Sequence, residues 1–231
     1  YIIAKYKLSE RSKYYIAHTL LTLLSCLPRC GLIHRDIKLS NIVLDRTISS
    51  TPDDEIKTLY PLMIDLGLAK EAYKCDGSRV LYLTPYDTKS ITGTLRYISI
   101  NIHEHKSPTI VDDLISLSYT LVVIFTGKDL PWIGHIKDKA CFDHTKHSHE
   151  NCVCGYHKNI IDNATKKNNS IAEMKFHTSL EELTGGYQFL SKWIKYLYSL
   201  NARQLPSYGK LYKWLQEENE YINDMYFELL K

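Results

Sequence analysis

Two short polar stretches constrain this chain more than anything else in it. The first is His-Arg-Asp-Ile-Lys-Leu-Ser-Asn, residues 34–41, which puts a carboxylate at Asp36, an ammonium at Lys38 and an amide at Asn41. The second closes the apolar run Leu62-Met63-Ile64 with Asp65-Leu66-Gly67. That run reads as a short buried strand with a carboxylate at its tip, followed by a glycine that lets the backbone turn sharply. An amide carbonyl and a carboxylate are both hard oxygen ligands, the kind a magnesium ion takes. His-Arg-Asp alone is equally at home in a solvated surface turn. The second aspartate, in order and at the end of an apolar strand, argues against that reading.

Composition narrows the class. At 44% hydrophobic and 24% charged, the sequence has enough apolar side chains for a real core, as a soluble globular protein does. A formal net charge of +3 and the lack of a long Lys/Arg run give no reason to expect a nucleic-acid partner. The longest apolar run, Leu114 to Phe125, is interrupted by Ser116, Ser118, Tyr119 and Thr120 and is too short to span a bilayer. No secretory signal opens the sequence, so the six cysteines are expected to be reduced thiols inside a cell, in cytoplasm or nucleus.

Along the chain, residues 9–27 follow a helical period with Ile16, Leu20, Leu23, Leu24 and Leu27 on one face, and Ser9 and Ser12 are N-cap candidates. Pro28 is expected to stop this helix and Gly31 to turn the chain. Ile42-Val43-Leu44 and Tyr60 to Asp65 read as the strands of a hairpin around a polar loop, residues 45–60. Residues 67–92 have no clear period and read as one long functional loop. Val111-Asp112-Asp113-Leu114 opens a buried helix that Gly127 and Leu130-Pro131-Trp132 close. An aspartate there commonly caps the helix. The tail returns to helices, with Leu190, Trp193, Ile194 and Leu197 on one face, then Leu211, Tyr212 and Leu215, then Ile222, Met225, Tyr226 and Leu229, punctuated by Pro206 and Gly209.

The spacing from His34 to Asn41 is similar to the catalytic loop of protein kinases, and Asp65-Leu66-Gly67 resembles their Asp-Phe-Gly motif. Thr92-Gly-Thr-Leu-Arg-Tyr-Ile-Ser-Ile-Asn101, then Asp112-Asp-Leu-Ile-Ser-Leu-Ser-Tyr-Thr-Leu121, then Leu130-Pro-Trp132, closely resembles the casein kinase 1 family, with Gly67-Leu-Ala-Lys70 adding to the match. The resemblance runs from about residue 7 to 216. It implies a mainly α fold, the kinase-like C-terminal lobe, a helical bundle with short β-hairpins at the catalytic cleft. It further implies transfer of the γ-phosphoryl of Mg-ATP to Ser/Thr hydroxyls of protein substrates, with no nucleic acid or membrane involved. Asp36 would be the catalytic base, Lys38 the phosphate partner, and Asn41 and Asp65 the magnesium and nucleotide residues. His34, Arg35 and Asp113 would support the loop, Asp113 by holding the backbone amides of the loop, and Arg96 would bind an anion on the substrate, unless it pairs with a local carboxylate.

The departures from that family are as informative. Thr109-Ile110-Val111 stands where the family has paired arginines, and a basic stretch after Trp132 is missing, so strict preference for acidic substrates is not expected. Residues 138–160 look like an insertion carrying Cys141, His144, His147, His149, Cys152 and Cys154. Cys141, His144, Cys152 and Cys154 could hold zinc, though the spacing lacks paired Cys-x-x-Cys and favours an unmetallated loop. Before His34 there is no glycine-rich loop, Val-Ala-Ile-Lys lysine or glutamate-bearing helix, so residues 1–231 are expected to be the large lobe of a kinase as a fragment or N-truncated chain. The rival readings are a catalytically inactive pseudokinase or scaffold, and a zinc-binding interaction module.

Overall fold

A computed structural model describes residues 8–45, 60–76, 79–82, 86–135, 155–201 and 204–218, with backbone alone at a few of these positions. Helices dominate: α1 (Glu10–Arg29), α2 (Ile100–His103), α3 (Ile110–Thr126), α4 (Gly155–His177), α5 (Leu180–Thr184), α6 (Gln188–Ser199) and α7 (Tyr208–Glu217). The strands are short: β1 (Leu32–Ile33), β2 (Ile42–Asp45), β3 (Tyr60–Met63), β4 (Lys70–Glu71), β5 (Tyr73–Asp76) and β6 (Arg79–Tyr82). They form three antiparallel pairs, β1 with β4, β2 with β3 and β5 with β6. No helix among the described residues is long and apolar enough to cross a membrane.

The core is built around α3. Leu114, Ile115, Leu117, Tyr119, Leu121, Val122, Ile124 and Phe125 are all buried, so this helix is apolar on nearly every side and is enclosed by α1, α5 and α6. Each such side chain contributes roughly 1.5–3 kcal/mol when removed from water. The hydroxyls on α3 do not interrupt this, because Ser118 and Thr120 donate to the carbonyls of Leu114 and Ser116 one turn back. Gly127 ends the helix in the left-handed conformation, φ 65°, with open space where a Cβ would lie. Tyr14, Phe125 and Phe189 meet edge-on or tilted, and Trp193 joins them through Phe189 while its indole N–H donates to Leu211 O. These contacts tie α1, α3, α6 and α7 together.

Several expectations need correction. Pro28 does not stop α1, which runs on to Arg29. Proline's fixed φ suits a helix, and its missing N–H matters only for the carbonyl four residues back. That carbonyl belongs to Leu24, and the Tyr208 hydroxyl of α7 donates to it at 3.2 Å. The region 67–92 is not one unstructured loop: it contributes β4 to the strand before the catalytic-type motif, and the β5–β6 hairpin. Gly209 lies in the first turn of α7, whose N-cap is Ser207, and so does not break a helix. Residues 46–59, the segment between β2 and β3, the second half of the tail and the Cys/His stretch 141–154 lie outside the described residues.

The Leu24–Tyr208 contact gives a testable outcome. Tyr208→Phe leaves a buried carbonyl without its donor and should cost about 1 kcal/mol in urea unfolding. In a Pro28→Ala background the helix supplies its own N–H, so the same change should cost less than half as much. Equal costs in the two backgrounds would show that Tyr208 does not serve the proline.

Candidate active site

The β2–β3 hairpin brings the two polar stretches together. Ile42 faces Met63 in the register, and the Ile64 N–H donates to Asn41 O at 2.9 Å just beyond the ladder. Asn41 therefore stands beside the residue preceding Asp65. The turn expected at Gly67 is present, closed by the Ala69 amide donating to Leu66 O at 2.9 Å, and just before it Asp65 takes φ 68°, a conformation aspartate tolerates better than most residues. The Asp65 carboxylate is exposed and its Oδ1 accepts the Gly67 amide at 3.1 Å.

Asp36 is 8% exposed, and three side chains converge on it. Oδ2 accepts from Lys38 Nζ at 2.6 Å and from Asn41 Nδ2 at 3.3 Å, while Oδ1 accepts from the Thr94 hydroxyl at 2.7 Å. Asn41 Nδ2 also donates to Asp36 O at 3.0 Å, so the amide is oriented and its Oδ1 accepts no hydrogen bond among the described residues. Burial alone would raise the Asp36 pKa, but the bonds from Lys38 and Thr94 outweigh it and hold the carboxyl below its usual range. It is ionised at neutral pH. A carboxylate has about four lone-pair sites, and three are taken here, which leaves Oδ1 able to accept one more donor.

The loop that carries Asp36 is held from below by α3. The Asp113 carboxylate accepts the His34 amide at 2.6 Å and the Arg35 amide at 2.8 Å. Asp112, not Asp113, does the capping: it accepts from the Thr109 amide and hydroxyl and from the Ser99 hydroxyl. The His34 ring is fully buried, and burial lowers its pKa. It is neutral, with Nδ1 facing the Asp36 amide and Nε2 facing Ile64 O at 3.3 Å. This pins the loop to the hairpin. Arg35 adopts φ 67°, and its Nε donates to Leu68 O, on the far side of the Asp65 turn.

Thr94 was not among the residues singled out from the sequence. The only clue was a threonine following a glycine. Gly93 has φ 99°, and a Cβ there would meet Arg35 O at 2.7 Å and the Ile98 side chain at 2.9 Å. Only glycine allows that close approach, which is what delivers Thr94 to Asp36. Arg96 is outside this cluster. Its guanidinium pairs with Asp129 at 2.7 Å and lies over the Tyr97 ring, with Nε buried and unpartnered among the described residues. Of the zinc candidates, Cys141, His144, Cys152 and Cys154 fall outside the described residues. Within the described residues no group of three or more His, Cys, Asp or Glu side chains is placed to hold a metal ion. Asn41 and Asp65, on neighbouring stretches at the end of the hairpin, offer an amide oxygen and a carboxylate, the hard ligand types that suit magnesium.

Comparison with known proteins agrees with this geometry. The protein kinase domain family matches residues 1–204. Casein kinase I homolog 2 of Schizosaccharomyces pombe is 31% identical over 182 residues, covering 78% of this chain and 34% of that protein. Casein kinase 1-like protein HD16 of Oryza sativa subsp. japonica is 38% identical over 130 residues, covering 55% of this chain and 17% of that protein. The chain thus spans about a third or less of the length of these curated relatives. A catalytic-type loop braced by a buried aspartate and a hairpin that carries a second aspartate to its edge agree with both likenesses: the chain belongs to the protein kinase family and, within it, is similar to casein kinase 1 proteins.

Proposed function

We propose that the protein carrying this chain is a serine/threonine kinase of casein kinase 1 type, transferring the γ-phosphoryl of Mg-ATP to hydroxyls of protein substrates. The observation that carries the reading is Asp36, ionised, with one acceptor site open on Oδ1 and the Lys38 ammonium bonded to Oδ2. A substrate hydroxyl donating to that site is oriented and loses its proton toward Asp36 as the new bond forms. Lys38 stays within reach of both Asp36 and Thr94 and offsets negative charge growing on the transferred group. Asn41 Oδ1 and the Asp65 carboxylate hold the metal, which neutralises phosphate charge when bound. His34, Arg35 and Asp113 keep this loop in place and do not touch the reacting atoms.

Arg96 serves as the substrate-anion residue in the same proposal, and here the chain has a feature of its own. Asp129 already occupies the guanidinium. A substrate carboxylate merely exchanges one such partner for another, whereas a phosphate brings a larger charge and more acceptor oxygens. Phosphorylated substrates are therefore preferred over acidic ones.

Three outcomes test this reading. Asp36→Asn in the full protein should retain the fold and lose most phosphoryl transfer, by about a thousandfold; near-normal turnover would remove Asp36 from its role. Mg-ATP at about a hundred times Kd should stabilise the protein by roughly 2.7 kcal/mol in a thermal-shift titration, and the gain should vanish in Asp65→Asn. A scaffold with no nucleotide site predicts no gain in either. Asp129→Asn should raise kcat/KM on acidic peptides about two- to fivefold, the worth of an exposed ion pair, and change phosphopeptide turnover less. No change on acidic peptides would mean that Arg96 does not read the substrate.

A further inference from the structure

Lys175, near the end of α4, is a buried cation with no carboxylate paired to it among the described residues. Its ammonium donates to Leu95 O at 2.8 Å and to Ile98 O at 2.6 Å, and meets His103 Nε2 at 2.9 Å. The rings of Tyr119 and Trp132 lie 5.3 and 5.2 Å away. A lysine ammonium has three N–H donors, and here each has one acceptor. The third acceptor depends on Asn168, one helical stretch earlier on α4. Its Nδ2 donates to His103 O at 2.9 Å, which turns its carboxamide oxygen toward His103 Nδ1. That oxygen only accepts, so Nδ1 carries the ring proton and Nε2 offers a lone pair to Lys175. Burial, and then the Lys175 charge, depress the His103 pKa to about 4, so the ring is neutral at pH 7. Burial also lowers the Lys175 pKa, and three acceptors with two aromatic faces counter that desolvation.

What this ammonium grips is the turn that carries Thr94. The Tyr97 and Ile98 amides donate back to Thr94 O at 2.8 and 3.2 Å, and Trp132 Nε1 donates to Arg96 O at 2.8 Å. Leu95 and Ile98 bracket that turn, and its first hydroxyl is the one bonded to Asp36. We propose that Lys175 is a positioning residue for Asp36, acting through the 94–98 turn and the Thr94 hydroxyl. The proposal rests on the kinase reading above for its catalytic consequence, and on geometry alone for the brace.

A brace that served stability only would leave turnover per folded molecule unchanged. In the full protein, Lys175→Met should lower kcat about tenfold or more, with KM for Mg-ATP within about twofold. Because Lys175 acts through Thr94, adding Lys175→Met to Thr94→Val should cost less than about twofold beyond Thr94→Val alone. Amide exchange at Tyr97 and Ile98 should quicken about tenfold or more in Lys175→Met, while that of α6 stays unchanged. Multiplicative losses in the double variant, or an unchanged kcat, would overturn the proposal. Should Lys175→Met fail to fold, Asn168→Ala releases the His103 tautomer and should give a smaller loss with the same dependence on Thr94. A wild-type protein that transfers no phosphate overturns the kinase reading and the role assigned to Asp36. The exchange rates then still decide whether Lys175 holds the turn.

Discussion

The carboxylate of Asp113 links the apolar core to the candidate site, and most of the site geometry hangs on it. Its oxygens accept the amides of His34 and Arg35, two consecutive donors that no strand or helix could serve. Arg35 has φ 67°, a conformation that costs a non-glycine residue on the order of 1 kcal/mol or more, and it persists only where its surroundings fix it. Both demands fall on one side chain at the first turn of α3, the most enclosed helix. That first turn is free to serve the loop because capping is delegated one residue back, to Asp112.

Burial pushes the Asp113 pKa up to about 7, against the two amides, which favour the ionised form, while the neighbouring Asp112 adds to the rise. Asp36 moves the other way. The signs differ in consequence. Asp113 is raised above its unfolded value near 3.9, so its contribution to stability is full below about pH 4 and is lost as pH rises toward 7. Asp36 is depressed, so its contribution is present above that unfolded value and is lost as pH falls through the folded one. Asp36, the proposed base, is surrounded by donors from side chains. The one that holds the loop is left in the core with two amides alone.

What was legible in the sequence follows the reach of local rules. The period of α1 and α6 and the glycine that ends α3 depend on residues a few positions apart and are where the pattern puts them, and β2 pairs with β3 as expected, though β3 ends at Met63 and not at Asp65. The β5–β6 hairpin carried a local sign as well, the dipeptide Gly77-Ser78 in the sequence between two runs with aromatic residues, and it was obscured by the charged and tyrosine-rich surroundings. Pro28 misled because the rule that a proline ends a helix omits tertiary donors, and Tyr208 is remote in sequence. Arg96 could be placed in a motif but its partner could not, since Asp129 comes from the loop after α3. Lys175 left only a faint mark, a lysine one turn after the fully buried Ile171 on the same face of α4.

The turn at residues 94–98 shows why such remote partners gather there. It is too short to form a helix and its backbone carbonyls point into protein, where an unpaired acceptor costs about 1–3 kcal/mol. Leu95, Arg96 and Ile98 each need a donor from elsewhere, and they take it from Lys175 and from the Trp132 indole. A lysine with three donors serves two of those carbonyls at once, and the indole, which can only donate, serves the third. Gly93 then brings the turn against the Arg35 carbonyl with no room for a Cβ. Satisfying the turn's own backbone thus leaves Thr94 with one direction to face, toward Asp36. The polar accounting of a buried turn and the alignment of the candidate base are the same set of contacts.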